Sequence, residues 1–125
     1  MAYEIPGFKS GTLVTSVDLS NEAASQYTGV KVKPDGSAGL PAAGGQITGV
    51  VQNDPAIGET VEIMHTGVSK VQAGAVFPAG SLLTPDATGR FVPVTAGQFA
   101  VAEAWENGVA VGGLVTALIM PFGKQ

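Results

Sequence analysis

The spacing of glycine and proline constrains this chain more than any other feature. Eighteen glycines and eight prolines punctuate 125 residues, and only short runs of β-branched and apolar residues lie between them. That pattern favours many short strands joined by tight turns over long helices. It predicts strands over residues 12–17, 29–33, 46–52, 60–65, 68–72, 81–84, 90–94, 99–105 and 114–120. Within 60–65, Val61 and Ile63 alternate with Glu62, the period of two that gives a strand one buried and one wet face. Only residues 20–25 read as helical, for one turn at most.

The turns carry their own chemistry. Pro34-Asp35-Gly36 and Pro85-Asp86 place proline where its fixed φ suits a turn, and aspartate where its carboxylate can close an Asx-turn. Asn107-Gly108 reads as a two-residue hairpin, because both residues tolerate the positive φ of a type I′ turn.

The chain also repeats itself. Asp35, Pro41 and Gln46 recur as Asp86, Pro93 and Gln98, offsets of 51, 52 and 52 in the same order. Each set is followed by an acidic, glycine-containing turn and a closing apolar strand. The expected architecture is all-β: a compact barrel or sandwich, β-tulip-like, built from two similar β-units over residues 28–66 and 79–122 of a domain spanning 28–125. Residues 1–27 stand apart. Tyr3, Ile5, Pro6 and Phe8 anchor a stretch that reads either as an arm that docks on a partner by strand addition, or as an edge strand of the chain's own sheet.

Composition excludes several function classes. Charged residues are 13% of the chain, against roughly 25% in ordinary domains. The longest apolar run, 109–120, is shorter than a membrane span of about 18 residues and is broken by Gly112 and Gly113. Glu4, Pro6 and Lys9 interrupt any signal-peptide pattern at the start. A soluble chain with this much apolar content points to an assembly partner. The net charge is −4 and the six cations are scattered, so nucleic acid is not an expected partner. Without cysteine, neither a disulfide nor a thiolate metal site is available.

No catalytic constellation emerges. His65 is the sole histidine and stands at a predicted strand end, with no further ligands at zinc spacing. No G-x-S-x-G elbow or phosphate-cradling glycine loop occurs. The close carboxylate pairs, Glu59/Glu62 and Glu103/Glu106, each flank a turn and read as a solvated rim. The chain is therefore expected to be no enzyme and to need no cofactor or metal. Trp105 is the one residue with a sharper role. Carboxylates flank it at a strand end, so it reads either as an interface anchor or as a cap over the end of the barrel.

The run AGSLLTPDATGRFVP over residues 79–93, then Ala100-Val101-Ala102-Glu103-Ala104 and the apolar strand from 108 to 119, resembles the tailed-phage capsid cement, or head-decoration, proteins. The resemblance covers residues 58–120 well and the first unit loosely, through turn and strand patterns. It implies a compact β-domain, commonly trimeric, on the outer surface of the virion, bridging neighbouring major capsid subunits. Tyr3, Ile5, Pro6, Phe8, Trp105 and Phe122 are the expected contact residues. The alternative is a virion-surface module that binds a host glycan or protein, with Trp105 and Tyr27 as stacking aromatics.

Overall fold

The computed structural model describes residues 13–18 as backbone and residues 25–125 in full. The predicted helical turn at 20–25 falls outside them but for Ser25. Ten strands are present: β1 (Leu13–Asp18), β2 (Gly29–Val32), β3 (Ala38–Gly39), β4 (Gly49–Val51), β5 (Thr60–Met64), β6 (Gly67–Gln72), β7 (Leu82–Pro85), β8 (Phe91–Pro93), β9 (Phe99–Ala104) and β10 (Leu114–Lys124). Each predicted strand has a counterpart. The one not anticipated is β3, whose two residues are too few to show a pattern.

The strands form two five-stranded antiparallel sheets, ordered β1-β5-β4-β2-β3 and β6-β10-β9-β7-β8. Adding five to each strand number of the first sheet gives the second. The registers repeat as well. Lys31↔Gly39 in the first sheet matches Thr84↔Val92 in the second, and Val30↔Gly49 matches Leu83↔Ala102, all at an offset of 53. Val51↔Ile63 matches Ala104↔Ala117, and Val17↔Val61 matches Val71↔Val115, with β1, β5 and their counterparts shifted by 54 or, for β4, by 53. The chain is thus all-β and built from two similar β-units. The register correspondence also takes in β1 and β6, which lie outside the ranges 28–66 and 79–122.

The turns keep one backbone plan, the Gly36 N–H bonding Lys33 O at 2.8 Å and the Gly89 N–H bonding Asp86 O at 3.0 Å, but their aspartates stand at different positions of it. Asp35 Oδ1 accepts from the Ser37 N–H at 2.9 Å and its hydroxyl at 2.6 Å. Asp86 Oδ1 accepts from the Thr88 N–H at 2.9 Å, its hydroxyl at 2.7 Å, and the Arg90 N–H at 3.0 Å. The second turn therefore gathers one donor more. Prolines sit where a missing N–H is tolerated. Pro93 lies on the edge strand β8, and Pro121 lies where the β9–β10 register breaks between Ile119 and Gly123. That break lets β10 run on to Lys124, four residues past the predicted end.

Two apolar clusters hold the sheets. The smaller joins Val30, Ala38, Val51, Val61 and Ile63 of the first unit. The larger is built around Leu83, Phe91, Ala102, Ala117 and Ile119 of the second and takes in Val50 from the first. A parallel bridge between Ala73 and Phe91 brings the two edges of the second sheet together, so that sheet is curled. Backbone bonds tie the units: Gly29 N–H to Gly89 O at 2.8 Å, Gly44 N–H to Pro85 O at 2.8 Å, and Gln72 N–H to Tyr27 O at 2.9 Å. Tyr27 takes a φ of 68° at this seam, and its own N–H donates to Val51 O at 2.7 Å.

Candidate interaction surface

Exposed apolar side chains gather on the connection between β9 and β10. The predicted type I′ turn at Asn107-Gly108 is not what the chain forms. Neither residue has a positive φ, and residues 105–113 make a longer loop. The reason is a packing contact. Gly108 bonds Phe77 in both directions, at 2.8 and 3.0 Å, and the buried ring of Phe77 lies over it. A Cβ at Gly108 would stand 2.7 Å from Phe77 Cζ, so only glycine fits. The asparagine serves the same clamp, its Oδ1 accepting the Ala79 N–H at 2.8 Å.

Trp105 begins this loop. Its N–H donates to Thr116 O at 2.8 Å, and its indole Nε1–H donates to Glu103 Oε1 at 3.2 Å. The side chain is 50% exposed. Glu106 pins the loop from the other side, Oε1 accepting the Thr116 N–H at 2.7 Å. That backbone donor, aided by the charge of Lys70, holds the Glu106 carboxyl below its ordinary pKa. Around this frame stand Val76, Val109, Val111 and Leu114, each more than half exposed. Branched and aromatic side chains on a tied loop lose little freedom when a partner covers them, which suits an interface.

The second sheet presents a further row, apolar but for one carboxylate. Leu82, Glu103, Leu118 and Val68 are register neighbours across β7, β9, β10 and β6, and all are half-buried. The matching row of the first sheet, Gly29, Val50 and Met64, is buried. Val50 belongs to the larger core there, and the Cβ direction of Gly29 meets Ile47 and Phe91. One face of the first sheet is thus covered by the second unit, while its counterpart on the second sheet is left half-open.

Of the other expected contact residues, Phe122 is half-buried near the end of β10, and Tyr3, Ile5, Pro6 and Phe8 lie outside the described residues. His65 is exposed, and among the described residues no cluster of histidine, aspartate and glutamate could hold a metal. Sequence reasoning missed Val76, Val109, Val111 and Leu114. Val109 and Val111 sit in a glycine-rich stretch that reads as a hairpin, Leu114 opens the strand behind it, and Val76 precedes Phe77, whose clamp on Gly108 holds the loop.

The fold and this surface define a duplicated β-protein whose exposed chemistry is apolar contact rather than catalysis. A family model described as phage cement protein matches residues 15–119. The chain belongs to that family, and it is a non-enzymatic structural protein of the phage virion. It is also similar in fold to the crystal structure of the head fiber gp8.5 N base in bacteriophage phi29, with a TM-score of 0.74 and 22% identity. That match covers 91% of this chain and 98% of the other. No curated protein matches.

Proposed function

We propose that the protein decorates the outer surface of a tailed-phage capsid and stabilises it by bridging neighbouring major capsid subunits. The observation that carries this reading is the loop around Trp105, a group of exposed apolar side chains on a frame fixed by Phe77, Glu106 and Asn107. Contact of this kind needs no chemistry, only many copies acting together. Binding to the assembled shell alone stabilises it by linkage, even where each contact is modest.

The working unit is a homotrimer. The half-open row Leu82, Glu103, Leu118 and Val68 supports this, since its counterpart on the first sheet is covered by a neighbouring β-unit. The same head-to-tail contact, made between copies, closes a ring if the rotation allows. Sedimentation of Leu118→Glu against the unaltered chain tests it, with a shift to monomer expected and an unchanged species against it.

For the shell contact, Val109→Asp/Val111→Asp is titrated onto capsids lacking the protein. At least tenfold weaker binding is expected, with the fold intact by circular dichroism. Unchanged binding would remove the loop from the interface. The half-exposed Trp105 beside Glu103 supports a second reading, recognition of a host glycan or protein. Loss of cell attachment in Trp105→Ala virions that remain fully decorated would favour it.

A further inference from the structure

A second apolar feature lies at the seam of the two units, away from the loop around Trp105. It is a cleft of about 300 Å³, with Ile47 from the first unit on one side and Phe99, Val101, Met120 and Pro121 from the second on the other. The register break between Ile119 and Gly123 opens it, because there β10 parts from β9 around Pro121. Its lining is mostly apolar, and Met120 remains 43% exposed. A cleft of this size and character holds one or two large side chains.

The start of β1 lies beside this place. β1 runs antiparallel to β5 with Leu13 opposite Met64, and the next residue, His65, lines the cleft. Phe8 stands five residues before Leu13 in the sequence, within about 17 Å of it at full extension. Residues 3–8 carry Tyr3, Ile5, Pro6 and Phe8, four apolar or ring-bearing side chains in six positions. We propose that the cleft is the docking site of residues 3–8 of the same chain. A segment tethered so close has an effective concentration of about millimolar, which favours it over the same segment of another copy in dilute solution. This inference goes beyond the capsid-contact reading and does not depend on it.

The chain has no cysteine, so an introduced pair is its only pair of thiols. The test is oxidation of Phe8→Cys/Met120→Cys in dilute free protein without capsids, followed by mass and gel analysis. The control is Phe8→Cys/Val109→Cys, whose second site lies beyond the far end of β9 from the cleft. The expected result is a disulfide within one chain for the first pair, at least fivefold more abundant than for the control. Cross-linking only between copies, or equally in both pairs, would overturn the proposal. A second measurement avoids cysteine altogether. Deleting residues 1–9 removes none of the described strands, and Met120 should then be oxidised by peroxide several-fold faster, with the buried Met64 as internal reference. An unchanged Met120 rate would equally overturn it.

Discussion

At position 38 of the first unit stands an alanine, and at the matching position of the second stands Phe91, the largest fully buried side chain among the described residues. The opposite exchange occurs nearby. Ile63 and Val51 of the first unit correspond to Ala117 and Ala104 of the second. All five residues of the smaller core, Val30, Ala38, Val51, Val61 and Ile63, have buried counterparts in the larger: Leu83, Phe91, Ala104, Val115 and Ala117. Two units can therefore keep one register while dividing side-chain volume differently, provided that each core is filled. The backbone adjusts with the volume. A Cβ at Gly49 would collide with Ile63 Cγ2 and the Met64 carbonyl oxygen, whereas its counterpart Ala102 carries a Cβ and packs in the larger core.

The two cores differ most at Phe91. Phe91→Ala should cost about 4 kcal/mol of stability by chemical denaturation, because it empties the centre of the larger core and withdraws the ring from Gly29. Ala38→Gly, the matching truncation in the first unit, should cost only about 1 kcal/mol. Equal losses would mean that the two cores are not divided as described.

Next in size is the pair Gly49 and Ala102. Gly49→Ala should cost about 3 kcal/mol through overpacking, and Ala102→Gly about 1 kcal/mol. A tolerated Gly49→Ala would contradict the close approach of β4 to β5.

The turn aspartates should differ in the same direction as their donor counts. Asp86→Ala releases three hydrogen bonds and Asp35→Ala two, so thermal melting should fall further for Asp86→Ala. Asp35 also predicts a pH dependence. The Ser37 hydroxyl and N–H hold its carboxyl below its ordinary pKa of 3.8. A depressed carboxylate contributes stability above its unfolded pKa and loses it as pH falls through the folded value. The difference between the unaltered chain and Asp35→Asn should accordingly shrink below about pH 3.8.

A smaller effect of opposite sign is expected at Thr84, whose buried hydroxyl has no hydrogen-bond partner among the described residues. Thr84→Val should gain about 1 kcal/mol. A loss would show that the hydroxyl is satisfied.

Much of the fold is legible in the residues themselves. Val61 and Ile63 show their buried face by alternation, and Pro34-Asp35 and Pro85-Asp86 show their turns through side-chain chemistry. The repeat is visible too, but its offset is not. Matching prolines and glutamines gives 52, whereas strand registers give 53 and 54, since these loop landmarks are not structural counterparts although the strands on both sides of them keep an offset of 53. Gln98 is a case in point: its N–H bonds Thr95 O as the Gly45 N–H bonds Ala42 O, so its structural counterpart is Gly45 rather than Gln46. What the sequence hides depends on contacts between distant residues. The clamp of Phe77 on Gly108 turns a supposed hairpin into an exposed apolar loop. Pro121, which would end an ordinary strand, instead marks a register break within a longer one.

The proposed function of this duplicated β-protein is to bind an assembled shell. The most direct measurement is to mix purified protein with capsids that lack it, pellet the shells and quantify the protein carried down, then follow shell disruption on heating. Saturable, stoichiometric uptake with a raised disruption temperature is the predicted result. Expanded shells that carry down no protein, or that disrupt at an unchanged temperature when saturated, would contradict it.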